Sequence, residues 1–163
     1  MKFEDKHVLD KPAATVIRMY SDQKFFERKY AAVGAWDIVV LECSKDDKTF
    51  RIKCRYTIKA SATQIPAAIQ KFVGGTTHIT QTDTWDLKAL TGRLDVEVKG
   101  APVKVTADMV LRDEGQGAVN LMKWNVSSSI PLIGGKLEQM IVDDIKAKSA
   151  ADVAASRKIL ADY

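Results

Sequence analysis

The chain has 163 residues, 46% hydrophobic and 28% charged, close to the globular average. That composition excludes a disordered polymer, a collagen-like chain and a bare coiled coil, and the length predicts a single domain over residues 1–163 with a core of ordinary size. The 25 Lys and Arg against 21 Asp and Glu leave a net charge of only +4, with the signs alternating along the chain. Nucleic acid is therefore not expected as a partner, because phosphate recognition needs a clustered positive face.

Two cysteines, Cys43 and Cys54, are too few for a disulfide framework and lack metal-ligand spacing, so neither a metal nor a cofactor is expected. The first ten residues have no apolar segment of the secretory kind, and no run is apolar for long enough to span a bilayer. These features predict a cytoplasmic protein with reduced thiols and at most peripheral membrane contact. Both cysteines fall in strand patterns and read as small buried hydrophobes.

Lys2 to Leu9 reads as a strand with Phe3, Asp5, His7 and Leu9 on one face. Pro12 suits the first turn of a helix over Ala13 to Tyr20, because its missing N–H would have no helical partner there. Ser21 or Asp22 offers a cap for a second helix from about Gln23 to Val33, with Phe25, Phe26, Tyr30 and Val33 apolar and Gly34 as its stop. From Trp36 the period changes from 3.6 to 2. Strands are predicted over Trp36 to Cys43, Thr49 to Ala60, Thr76 to Leu87, Arg93 to Lys99, Val103 to Arg112 and Ala118 to Ile130. Their short, turn-rich connections imply an antiparallel meander, since a parallel crossover needs a dozen or more residues. After Gly134 and Gly135 the chain returns to one helix about 40 Å long, with Leu137, Met140, Ile141 and Ile145 as its apolar stripe.

The segment Gln64 to Gly75 interrupts the meander; it is too long for a hairpin turn and too apolar for a solvated loop. Ile65, Ile69 and Phe72 have the spacing of an amphipathic turn or two, so the segment reads either as a lid or as a satellite of the core.

Several stretches carry a family likeness: Lys11-Pro12-Ala13-Ala14, Tyr20-Ser21-Asp22, Phe25-Phe26, Thr82-Asp83-Thr84-Trp85, and Ile130 through Glu138 with its Pro131 and paired glycines. With the order of elements, they make the chain resemble the START-like (SRPBCC) superfamily, which groups the birch-pollen allergen, polyketide cyclases and coenzyme Q-binding proteins. Within it the closest likeness is to DUF2505, a bacterial family of uncharacterised function. The resemblance implies an α+β helix-grip fold, in which a curved seven-stranded antiparallel sheet wraps around the long C-terminal helix. It also implies a deep apolar cavity between the two, which relatives use for lipids, sterols, quinones or polyketides, mostly to bind and carry and in a few cases to catalyse.

On that fold the inward faces can be read from alternation, and the expected ligand contacts are Tyr56, Gln81, Asp83, Trp85, Met109, Trp124, Leu137 and Ile141. Taken singly, each apolar member of this set reads first as solid core; the cavity is a property of the ensemble that the fold implies. Gln81 and Asp83 share a face with Ile79 and Trp85, and a buried carboxylate must pair, titrate abnormally or meet a ligand. A bulge would instead turn Asp83 outward. Asp83 and His7 are the weak candidates for catalysis; His7 also reads as a surface or satisfied core histidine. No nucleophile elbow, His pair for a metal or phosphate loop is present in the sequence.

The leading expectation is a monomer or weak dimer that binds or carries a hydrophobic small molecule. The alternative is a cyclase, aromatase or hydrolase using Asp83 or His7 as acid or base in the same cavity. A third possibility is a partner-regulating module with a filled interior, which would work through an exposed apolar patch.

Overall fold

The period-2 segments pair in a continuous ladder. In the computed structural model, which describes residues 1–59 and 75–163, the strands are β1 (Lys2–Leu9), β2 (Trp36–Lys45), β3 (Thr49–Lys59), β4 (Thr76–Asp86), β5 (Thr91–Val98), β6 (Val103–Glu114) and β7 (Gly117–Ser128). They form one seven-stranded antiparallel sheet in the order β1-β7-β6-β5-β4-β3-β2. From β3 to β1 the register does not slip. Ile52, Asp83, Leu94, Ala107, Trp124 and Phe3 stand opposite one another in a single row across six strands. Because side chains alternate strictly, that unbroken register puts the whole row on one face.

The helices are α1 (Ala13–Tyr20), α2 (Gln23–Ala32) and α3 (Gly134–Leu160). Pro12 stands one residue before α1, and the first N–H of that helix, from Ala13, is taken up by Asp113 Oδ1 of β6 at 2.8 Å. Asp22 rather than Ser21 caps α2, accepting from the Lys24 N–H at 3.0 Å. Gly34, at φ +90°, follows the end of that helix in the conformation that glycine adopts most cheaply. Val16 and Met19 of α1 and Phe25 and Phe26 of α2 are fully buried in the core.

Helix α3 lies along β7, β1 and α2. Its first turn is fixed by Leu137, which is fully buried, and by Glu138, whose Oε1 accepts the Ser128 N–H at 2.8 Å. The apolar stripe thins over Ala151, Ala154 and Ala155 and then resumes: Ile159 and Leu160 of the last turn are buried in the same core as α1 and α2. No helix among the described residues is long and apolar enough to cross a membrane.

Strand β2 departs from expectation. It is the free edge beyond β3, its register shifts between Trp36 and Val39 and again between Val40 and Glu42, and Trp36, Val39 and Leu41 are exposed. Such irregularities twist an edge strand out of regular pairing. Cys43, expected to be buried, is exposed on this strand, whereas Cys54 of β3 is buried. An edge strand that has lost strict alternation no longer places every second residue inward, and Cys43 falls on its solvated part.

Gly92 shows how closely the concave face is packed at one end. It pairs with Trp85 and Met109, and a Cβ at Gly92 would lie 2.8 Å from Trp85 Cδ2 and 2.9 Å from Met109 Cε. Replacing a strand glycine by alanine ordinarily helps a strand slightly. Here Gly92→Ala should instead destabilise the protein by about 1–3 kcal/mol, because the buried indole would have to shift out of its stack on Tyr20. Chemical denaturation of the variant beside the wild type measures this.

Candidate functional site

The sheet's concave face and α3 enclose a cavity of about 520 Å³. Its floor comes from alternate residues of β3 to β7 and β1, one wall from Tyr20 of α1 and Phe25, Phe26, Lys29 and Tyr30 of α2, and its roof from the middle of α3. The space is thus enclosed by side chains from both ends of the chain. Most of the lining is apolar, including Ile79, Leu94, Met109, Met122, Leu137 and Ile141.

Into this wall the register of β4 sets Gln81 and Asp83, only 8% and 7% exposed. The expected inward placement of Asp83 is thus observed, and the bulge that would have turned it outward is not present in the β3–β4–β5 pairing. The two residues belong to a directed chain of hydrogen bonds. Tyr56 Oη donates to Gln81 Oε1 at 2.8 Å, and Gln81 Nε2 donates to Asp83 Oδ1 at 2.8 Å. The Tyr56 ring in turn stacks on that of Tyr30 with centroids 4.2 Å apart. Burial pushes the Asp83 carboxyl up to about 6; Lys29 and the Gln81 hydrogen bond pull against that push, while Asp152 and Asp95 add to it. Burial likewise raises the phenols of Tyr20, Tyr30 and Tyr56, so all three remain protonated donors at neutral pH.

Three further carboxylates line the cavity, and each has a basic partner. Lys29 of α2 reaches Asp152 of α3 at 3.4 Å, its ammonium lying 5.5 Å from the ring centres of Phe25 and Tyr30. Lys148 pairs with Asp144 one helical turn away at 2.8 Å. Asp5 lies 3.0 Å from His7 Nε2 and accepts from Ser149 Oγ at 2.6 Å. Burial works against the Asp5 carboxylate, yet the Ser149 hydroxyl, His7 and the Lys6 N–H together hold it below its usual range.

The Asp5, His7 and Ser149 cluster invites comparison with a nucleophilic triad and does not match one. Such a relay needs the two imidazole nitrogens to face different partners. Here Nε2 of His7 faces both Asp5 and Ser149, at 3.0 and 3.4 Å, and the serine proton is committed to Asp5. The thiols are equally unsuited to nucleophilic work: burial pushes Cys54 up to about 12, and partial burial together with Asp22 and Glu27 raises Cys43. Among the described residues no group of three His, Cys, Asp or Glu is placed to hold a metal ion.

All eight residues expected at a ligand site line this cavity: Tyr56, Gln81, Asp83, Trp85, Met109, Trp124, Leu137 and Ile141. His7 lines it too, at the β1 side, and His78 is on the outer face, with Nδ1 3.0 Å from Thr57 Oγ1. Ile65, Ile69 and Phe72, expected as a lid, lie outside the described residues. Sequence reasoning missed Lys29, Asp152 and Asn120. Asn120 shares the alternation of Met122 and Trp124 and could have been found by it. Lys29 and Asp152 lie on different helices, and only tertiary packing brings them to the cavity.

Among the described residues this architecture, a strand, two short helices, a six-strand meander and a long closing helix, is a helix-grip fold. The chain belongs to the DUF2505 family, described as proteins of unknown function, whose pattern matches residues 5–159. Among solved structures it is similar to TTHA0849 from Thermus thermophilus, at 15% identity and a TM-score of 0.68, over 98% of this chain and 97% of that one. The Zhui aromatase/cyclase from Streptomyces sp. R1128 is similar at 12% identity and 0.66, over 98% and 93%. Ara h 8.0201 is similar at 14% identity and 0.64, over 100% and 99%. No curated protein matches the sequence.

The buried carboxyl makes stability depend on pH in a definite direction. Because the Asp83 pKa is raised from 3.8 to about 6 in the folded state, the native protein binds the extra proton between those values and loses stability as pH rises through them. Asp83→Asn should therefore gain on the wild type from about pH 4 to about pH 6, by up to about 3 kcal/mol, and hold a constant advantage above that. Denaturant titrations of both proteins across this range read the difference directly.

Proposed function

We propose that this protein binds and carries a hydrophobic small molecule, such as a lipid, isoprenoid quinone or polyketide-like aromatic, with residues 1–163 acting as one START-like domain. The observation that carries this reading is the cavity of about 520 Å³ between the sheet and α3, with a mostly apolar lining and a few convergent polar groups. Small-molecule sites are typically concave spaces of roughly 300–1,000 Å³ built in that way. Burying about 300 Å² of apolar ligand surface at ~25 cal/mol per Å² contributes about 7 kcal/mol before the costs of association. Trp85, Met109, Trp124, Leu137 and Ile141 supply the apolar contact, while Tyr56, Gln81 and Asp83 orient the ligand.

A neutral fluorescent apolar probe should brighten on binding, and native mass spectrometry of protein purified from cells should show a bound small molecule. Ile141→Trp, which fills the space beneath α3, should weaken probe uptake about tenfold while the protein still unfolds in one cooperative transition. Absence of both a co-purified molecule and probe uptake would sink the proposal.

A second reading is catalytic, and one observation favours it: burial pushes the Asp83 carboxyl up to about 6, within reach of acid–base work at neutral pH, in the wall of a mostly apolar cavity. A neighbour of the same fold is an aromatase/cyclase. The distinguishing result is a chemical change in a bound ketone that Asp83→Asn abolishes while probe uptake persists.

A further inference from the structure

Of the four carboxylates that line the cavity, Asp5, Asp144 and Asp152 each have a basic partner. Asp83 is the most deeply buried of them, and its hydrogen-bond partner among the described residues is a neutral amide, the Gln81 side chain at 2.8 Å on Oδ1. The titratable groups around it are Tyr20 from α1, Lys29 and Tyr30 from α2, Cys54 and Tyr56 from β3 and Asp152 from α3, while Asp95 of β5 stands on the outer face of the sheet. Lys29 is the single cation in this set, and its ammonium is already engaged with Asp152. The electrostatic balance around Asp83 at neutral pH is therefore one uncompensated negative charge in an apolar wall.

A desolvated carboxylate is strongly favoured by a hydrogen-bond donor and strongly disfavoured by a second anion, since charge interactions sharpen where water is excluded. The Gln81 amide, held by Tyr56, occupies Oδ1. Among the described residues Oδ2 has no hydrogen-bond partner, and it is the oxygen this geometry offers to a ligand.

We propose that the cavity selects hydrophobic molecules whose polar end is a neutral or cationic hydrogen-bond donor, an alcohol, phenol or amine that docks on Asp83, and turns away hydrophobic anions such as fatty-acid carboxylates. This inference rests on the reading of the cavity as a hydrophobic-ligand site and narrows its ligand class.

The test uses three molecules with one hydrocarbon body, decanol, decylamine and decanoate, each competing with a neutral fluorescent probe near pH 8. On the full-length wild type, decanol and decylamine should displace the probe at concentrations at least about tenfold below decanoate, the size expected of a hydrogen bond to a charged partner. Asp83→Leu removes a buried charge and should fold, and it should bring the three compounds to within about threefold of one another. Asp83→Asn keeps the shape and the Gln81 hydrogen bond and should improve decanoate relative to decylamine. Decanoate binding to the wild type as tightly as decanol, or an alcohol preference that survives in Asp83→Leu, overturns the proposal. Failure of every compound and of the probe to bind overturns the underlying hydrophobic-ligand reading instead, and this inference with it.

Discussion

Helix α3 is anchored at both ends to the sheet and the core, and the rest of the structure depends on that constraint. At 27 residues it is about 40 Å long. Its first turn is fixed to β7 by Leu137 and Glu138, and its last by Ile159 and Leu160 in the core and by Arg157 Nε donating to the Val8 carbonyl at 2.8 Å. Between these anchors it packs Val142 against Val105 and Val126 and is tied to β1 through Ser149 and to α2 through Asp152, while its other inward residues leave a gap over the sheet that is the cavity. The residues over that gap, Ile141, Asp144, Ile145, Lys148 and Asp152, are only partly buried and roof the cavity. The cavity therefore lies between a helix anchored at both ends and the sheet face beneath it.

The other half of the interior is solid. Tyr20 stacks on Trp85 at 5.4 Å, Phe26 on Phe50 at 5.9 Å, and Phe25 meets Phe26 edge-on at 5.2 Å, so the two short helices are fused to β3 and β4 by aromatic contacts. Stacking and burial at this end contribute the packing that the hollow end forgoes. Asp83 lies on β4 two residues from Trp85, at the seam between the solid and hollow parts, where its backbone is rigid and its carboxyl meets the cavity.

Much of this was legible from periodicity. Strict alternation from Thr49 to Lys59 and from Thr76 to Asp86 identified both the strands and their inward faces, because an antiparallel sheet with one buried face permits only one register. Asp83 could be placed inward on the same ground as Trp85. Cys43 could not, because the bulges that expose it arise from β2 being an edge, and edge status is decided by the order of all the strands together. Lys29 and Asp152 were hidden for a related reason: each looks like an ordinary solvated helix residue until α2 and α3 pack side by side over the cavity.

The charges around the cavity follow one rule with one exception. Aspartates contributed by β1 and by α3 meet a base: His7 two residues along the same strand, Lys148 one turn along the same helix, or Lys29 across to α2. Each of these pairs could rearrange with its flexible, partly exposed lysine or with the edge strand that carries it. Asp83 sits on an interior strand, hydrogen-bonded through β3 and β5 on either side, and its hydrogen bond comes from the neutral Gln81 amide, itself held by Tyr56, while the nearby Lys29 is paired with Asp152. A carboxyl maintained there costs stability whenever it is ionised, and removing it would relieve that cost without breaking any ion pair recorded in the fold. A residue that stability disfavours, fixed by a dedicated chain of hydrogen bonds and turned toward a cavity, is better explained by what enters the cavity than by what holds the sheet together.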